Sequence, residues 1–182
     1  MPIEWPDLLI FTGAALTLNL TPGNDMMFVL GQALRGGAHT GFAASLGIAT
    51  GSAIHASLVA AGVAVVLAQH PAVFDAIRYA GAAYLIWVAY RSLAGASLAL
   101  DATQRSRTPF EAWRDGTLVN LLNPKIIVFM FAFLPPFVRP ENGMPLLQLF
   151  ILATIFNAGG TLINFAVSAF ADRKSTRLNS SH

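Results

Sequence analysis

GFAASLGIATGSAIHASLVAAGVAVVLA, residues 41–68, contains no Asp, Glu, Lys or Arg. A helix needs roughly 20 mostly apolar residues to cross a bilayer, and this segment is longer than that. The whole chain of 182 residues is 55% hydrophobic and 11% charged, whereas a soluble domain carries about 25% charged residues. This composition excludes a soluble globular domain, a disordered chain and a collagen-like fibre. It predicts an integral membrane protein that lies in the lipid bilayer.

Further apolar segments on both sides of this one predict an all-α fold with five transmembrane helices. The predicted spans are residues 8–34, 41–68, 77–100, 116–137 and 145–171. Most connections are short, so we interpret residues 1–172 as a single transmembrane domain without room for a separate soluble head. Residues 173–182 change abruptly in composition and resemble the translated end of a sequencing adapter. We predict that they form a non-native tail and that the native chain continues into a further span.

Basic residues in the loops predict how the chain is oriented. Cytoplasmic loops carry an excess of Lys and Arg. Arg91 falls inside the third predicted span and is taken to end its embedded part. Five arginines lie on the side reached after the first and third spans, and two, Arg78 and Arg139, lie on the other side; the five are Arg35, Arg91, Arg105, Arg107 and Arg114. We therefore expect loop 92–114 in the cytoplasm and the N-terminus outside. Without the last ten residues the chain has 8 basic and 9 acidic residues and no basic patch, so we predict no nucleic-acid partner.

A polar break interrupts the first span. Thr21-Pro22-Gly23-Asn24-Asp25 lies among apolar residues. Proline removes a backbone donor and clashes with the carbonyl four residues earlier, and glycine accepts almost any dihedral angles. Unpaired backbone groups cannot face lipid, so this break must face protein or a water-filled cavity. Asp25 places a carboxylate at the break, where it can take a proton or meet a cationic group.

The fourth span contains a similar break with the opposite charge. Its sequence is Asn120-Leu-Leu-Asn123-Pro124-Lys125, in which the two asparagines share a helix face. Broken helices at corresponding positions of two halves point to an inverted-repeat transporter with a site near the membrane midplane. We expect a six-helix fold of three plus three, of which this chain contains five helices. The predicted substrate-binding or coupling residues are Thr21, Pro22, Gly23, Asn24, Asp25, Asn120, Asn123, Pro124 and Lys125.

These residues also have purely structural interpretations. The two prolines can be simple kinks, and Asp25 can cap the helix that follows it. Lys125 can extend to the cytoplasmic interface. His55, in the second span, is either a proton relay or a hydrogen-bonded structural group.

Small residues in the second span predict close packing between helices. Gly47 and Gly51 are four residues apart, a spacing that lets two helices approach closely and that is compatible with a homodimer. Signatures of catalysis are absent from the sequence. It has no cysteine, no phosphate-binding loop and no Ser/His/Asp or metal-ligand pattern, so we predict no enzymatic activity, no metal and no cofactor.

Taken in order, these motifs resemble those of the lysine exporter family, and its homoserine/threonine-exporter branch most closely. The resemblance extends over residues 5–171. The motifs that carry it are Thr21-Pro-Gly-Asn-Asp25, Tyr79-Ala-Gly-Ala-Ala-Tyr-Leu85, Asn120-Leu-Leu-Asn-Pro-Lys125 and Phe133-Leu-Pro135. The resemblance implies a multi-pass exporter of amino acids or close derivatives in the bacterial inner membrane. It also implies that an ion or proton gradient drives export without ATP.

Our hypothesis is secondary-active efflux by alternating access at the two broken helices. The partners would be a small amino-acid substrate and a coupling proton or ion. The alternative is a membrane scaffold or assembly subunit without transport activity, in which the two breaks are packing kinks.

Overall fold

The computed structural model describes residues 2–69 and 107–179, together with single positions between 76 and 90. All regular elements within these residues are helical, which confirms the all-α prediction. The α-helices are α1 (Trp5–Leu20), α2 (Asn24–Gln69), α3 (Pro109–Leu121), α4 (Pro124–Val128) and α5 (Pro145–Asn179). Between α4 and α5 lie a π-helical turn and two 3-10 turns, at Phe129–Phe133, Pro135–Phe137 and Pro140–Asn142.

Two helices are long and apolar enough to cross a membrane, namely α2 over Asn24–Gly62 and α5 over Pro145–Ala171. A third span results if α3 is counted together with Pro124–Phe137 across a bend of 55°. The chain is therefore a membrane protein, and α5 begins at the predicted start of the last span, Pro145. The predicted span 77–100 lies largely outside the described residues, so the total of five stays a prediction, as does the origin of tail 173–182.

The predicted first span consists of two helical pieces. α1 has 16 residues and is about 24 Å long, which is shorter than the hydrocarbon core of about 30 Å. The helix ends at Leu20, and the chain continues into α2 at Asn24. A second turn follows at Gly37, whose φ of 75° suits glycine. Gly41 then lies beside Ala33, since a Cβ on Gly41 would be 2.8 Å from the Cβ of Ala33, so the two arms of α2 fold back on each other.

α3 packs against the part of α2 that follows Gly37, and almost no side chain lies between the two backbones. A Cβ on Gly47 would overlap the carbonyl of Trp113, and a Cβ on Gly116 would be 2.5 Å from the carbonyl of Ala44. The Thr117 hydroxyl also donates to the Gly47 carbonyl at 3.1 Å. The predicted close approach is confirmed, and it occurs within the chain. Dimerisation stays a prediction, but this glycine face is already occupied.

α3 begins seven residues before the predicted start of its span. Thr108 caps the helix, accepting from the Glu111 amide, while the Glu111 carboxylate accepts from the Thr108 amide. This reciprocal capping box satisfies donors that a helix start otherwise leaves unpaired.

Candidate functional site

The break between α1 and α2 frees a backbone carbonyl that Lys125 then binds. Pro22 lies four residues after Leu18 and has no N–H to donate to the Leu18 carbonyl. The Lys125 ammonium donates to that carbonyl at 3.2 Å and to the Thr21 carbonyl at 3.0 Å. The cation lies at the C-terminal end of α1, where the helix dipole is negative. The side chain also passes over Gly23, where a Cβ would be 3.0 Å from the ammonium nitrogen.

The break between α3 and α4 also contains a proline that removes a helical hydrogen-bond donor. Pro124 lies four residues after Asn120, and the Asn120 carbonyl accepts instead from the Asn123 amide at 3.0 Å. The Asn123 side chain caps α4 by accepting from the Lys125 amide at 3.0 Å. That amide would have bonded to the Leu121 carbonyl in a continuous helix.

Asp25 connects the two breaks. Its carboxylate accepts from the Asn120 side-chain amide at 2.8 Å and from the Asn123 side-chain amide at 2.9 Å. The three side chains are 8%, 0% and 2% exposed. Residues almost one hundred positions apart in the sequence thus meet in the interior, and the negative charge lies at the N-terminal end of α2, where the helix dipole favours it.

Asp25 and Lys125 both line a cavity of about 30 Å³. Half of the other lining residues are polar and come from α1, α2 and α5: Asn19, Ser52, Asn157, Thr161 and Asn164. The cavity has room for about two water molecules. It is therefore a small chamber between helices with both polar and apolar walls, and Asp25 and Lys125 both lie on it.

Family comparison identifies the kind of protein in which this arrangement occurs. The family model described as LysE type translocator matches residues 16–182. The chain belongs to the LysE type translocator family. The predicted family resemblance is thereby confirmed.

Curated relatives of this LysE-type chain include named efflux proteins. The homoserine/homoserine lactone efflux protein of Salmonella typhimurium is 30% identical over 143 residues, which cover 78% of this chain and 68% of the relative. The leucine efflux protein of Klebsiella pneumoniae is 32% identical over 147 residues, or 80% and 69% of the two chains. An uncharacterised membrane protein of Bacillus subtilis is 34% identical over 158 residues, or 81% and 75%. No solved structure shows a significant match.

The chain spans about two thirds to three quarters of the length of these relatives.

The structure brings most of the predicted site residues of this LysE-type chain together, but some act through their backbone. Thr21 contributes its carbonyl, while its hydroxyl donates to Thr17 at 2.7 Å. Asn24 is exposed at the start of α2 and does not line the cavity. Pro22 and Pro124 shape the breaks. The side chains of Asp25, Asn120 and Asn123 are joined by hydrogen bonds, and Lys125 lines the same cavity as Asp25.

Two structural interpretations from the sequence can be compared with these contacts. Lys125 is 8% exposed, and its ammonium group donates to two carbonyls at the end of α1. Asp25 lies in the first turn of α2, as a capping residue would, but its carboxylate oxygens accept from the two asparagines of the other break.

Sequence reasoning missed part of the cavity wall. Asn19 donates to the Phe156 carbonyl at 3.0 Å and lies against Gly160, where a Cβ would be 3.0 Å from the Asn19 amide oxygen. Asn157 on α5 donates to the Ala49 carbonyl of α2 at 3.1 Å, so it forms an interhelical hydrogen bond. The signal that could have identified Asn19 is its position three residues before Pro22, on the turn that ends at the break.

His55 is 4% exposed, and within the described part of the chain neither of its ring nitrogens has a hydrogen-bond partner. The Phe131 ring packs edge-on against it at 6.1 Å between centroids. Both interpretations of His55, as a proton relay and as a hydrogen-bonded structural group, stay predictions.

Proposed function

We propose that this chain exports amino acids or close derivatives across the bacterial inner membrane, by secondary-active transport at the two facing helix breaks. The observation that carries the proposal is a buried pair of opposite charges on one cavity, with each charge held by neutral groups. Membership of a translocator family supports it, as do relatives named efflux proteins for homoserine and for leucine.

The charges at the breaks complement an amino-acid zwitterion. Asp25 would meet the substrate ammonium group, while Lys125 and the N-terminal end of α2 would meet the carboxylate. Asn120 and Asn123 would supply neutral hydrogen bonds. A zwitterion adds no net charge, so the site stays electrically balanced when the substrate enters.

Alternating access is supported by the size of the cavity. A volume of about 30 Å³ holds about two water molecules, which is too little for an amino acid. Substrate binding therefore requires the helices around the two breaks to separate. Proline and glycine at the breaks make them the natural points for this movement.

Asp25 is the proposed coupling residue. A carboxylate can bind either the ammonium group of the substrate or a proton, but not both at full strength. Release of the substrate on one side of the membrane would then favour uptake of a proton from that side. The distribution of arginines in the loops supports an orientation with the N-terminus outside and loop 92–114 in the cytoplasm.

The test is amino-acid release from dipeptide-fed bacteria that lack their own exporters and express this chain. We expect one or a few amino acids to be released, and the release to be lost in Asp25→Asn. Asp7→Asn is the matched control, since Asp7 is a carboxylate at the far end of α1 that pairs with Arg139. Membrane levels of all three proteins are compared by immunoblot.

Normal export by Asp25→Asn would show that the coupling role is wrong. The absence of release from a well-expressed wild-type chain would contradict export by this chain and favour the scaffold alternative.

A further inference from the structure

His55 is a buried polar group that the proposed site leaves unused. It lies on α2 one turn after Ser52, so the two residues share a helix face. The Ser52 hydroxyl donates to the side-chain oxygen of Asn120 at 3.4 Å, and Asn120 donates to Asp25. A single turn of α2 therefore separates His55 from the hydrogen bonds around the carboxylate.

The lack of well-formed hydrogen bonds at the two His55 ring nitrogens costs free energy. A buried polar group without a hydrogen bond loses its interactions with water and gains nothing in exchange. Of the side-chain atoms in the described residues that are buried without a partner, two of three belong to this ring; the third is the Gln32 amide oxygen. Such a group is explained when another state of the protein supplies the partner.

The break between α3 and α4 leaves a carbonyl, that of Leu121, which could be this partner. The Lys125 amide donates to the Asn123 side chain and not to the Leu121 carbonyl, which is thus left without its helical donor. The Asn120 and Leu121 carbonyls lie within hydrogen-bonding reach of the His55 ring, although neither forms a hydrogen bond of good geometry with it. A neutral histidine has one N–H donor and a protonated histidine has two, so a proton on the ring adds a second donor that can serve this carbonyl.

We propose that His55 is a second proton-binding site of the transporter, coupled to Asp25 and placed against the carbonyl that the α3 break frees. This inference rests on the proposed function, because it assigns the second station of a proton-coupled cycle. Groups from three elements face the ring. Asp25 at the start of α2 supplies a charge, and the end of α3 supplies two carbonyls. The π-helical turn after α4 supplies the ring of Phe131. Binding and release of the proton would thereby change how firmly α2 holds the bend in α3.

The experiment is an NMR pH titration of the full chain in lipid nanodiscs with ¹⁵N-labelled histidine. The chain has four histidines, and the signal that disappears in His55→Gln is assigned to His55. We expect this ring to gain a proton between about pH 8 and pH 5, the range in which histidine charges. We also expect its midpoint to change by about half a pH unit or more in Asp25→Asn, as one buried charge nearby would cause, and to stay unchanged in Asp7→Asn.

A ring that stays neutral over the whole range, or a midpoint identical in wild type and Asp25→Asn, would overturn the proposal. The titration needs no transported substrate, so it remains informative if the export assay fails. Where export is measured, its pH profile should change in His55→Gln and not in His39→Gln, which alters an exposed histidine. A parallel fall in export at every pH would indicate a structural role only. His55→Phe, which keeps a planar ring, checks that loss of the proton site and not loss of packing causes the change.

Discussion

The two amide–carboxylate bonds at Asp25 allow a quantitative test of the site. Asn120→Ala and Asn123→Ala each remove one donor from a buried carboxylate. A hydrogen bond to a charged group contributes about 1.5–3 kcal/mol. Asn123→Ala also removes the cap of α4, which adds about 1 kcal/mol, so it should destabilise the protein more than Asn120→Ala does.

A double-mutant cycle separates these contributions. In an Asp25→Ala background neither amide has the carboxylate as acceptor, so Asn120→Ala should lose most of its effect. Asn123→Ala should retain the cost of about 1 kcal/mol for the lost cap. The coupling energy between Asp25 and each asparagine should therefore be about 1.5–3 kcal/mol.

The assay is thermal unfolding of the purified chain in detergent, followed by the fluorescence of its three tryptophans. For a chain of this size 1 kcal/mol corresponds to about 2–4 °C in Tm, so Asn120→Ala should lower Tm by roughly 3–12 °C. Coupling energies below about 0.5 kcal/mol for both asparagines, the usual scatter of independent sites, would refute the assigned contacts.

Three further expectations concern the packing and charges around the site. Gly47→Ala forces a methyl group into a backbone carbonyl of α3 and should cost about 1–3 kcal/mol in unfolding measurements, whereas Gly13→Ala, which has open space around it, should be neutral or stabilising. Lys125→Met leaves two carbonyls of α1 without their charged donor and should lower Tm more than Lys125→Arg; equal losses would contradict this role of the charge. The hydrogen bonds from Arg139 lower the pKa of Asp7 below its usual 3.8, so their stabilisation is present above that pH and is lost as the pH falls through the lowered value. The Tm difference between wild type and Asp7→Asn should therefore be constant above about pH 5 and shrink below about pH 4; a difference unchanged by acid would refute it.

Local sequence rules predicted each helix break, and the repeat pattern predicted one site at both breaks, but not the individual contacts between them. Proline and glycine at positions 22 and 23 were enough to end α1, because proline lacks the donor a helix needs. The contact between Asp25 and Asn120 depends on how α2 packs on α3, which is a property of the whole fold. Its one local signal was the small-residue spacing at Gly47 and Gly51, which predicted a close approach but not which helix would approach.

Two other features, the start of α3 and the π-helical turn, are not visible in the hydrophobic periodicity of the sequence. The start of α3 at Pro109 could have been read from Thr108 and Glu111, which form a capping box with the usual spacing. The π-helical turn at Phe129–Phe133 has no comparable signature. Its Phe133 ring stacks with Phe11 and its Phe129 ring stacks with Phe156, contacts that arise only in the folded chain.

The same proline rule explains why both charges can be buried yet remain available. A proline four residues after a carbonyl frees that carbonyl, and at the first break the freed group receives Lys125. Lys125 is thus held by backbone dipoles and Asp25 by side-chain amides, so neither needs the other as a partner. A direct salt bridge would have to be broken before a zwitterion could bind, and this would leave two buried charges without partners. Neutral partners can be exchanged for substrate groups one hydrogen bond at a time, which is the property that a transport site requires.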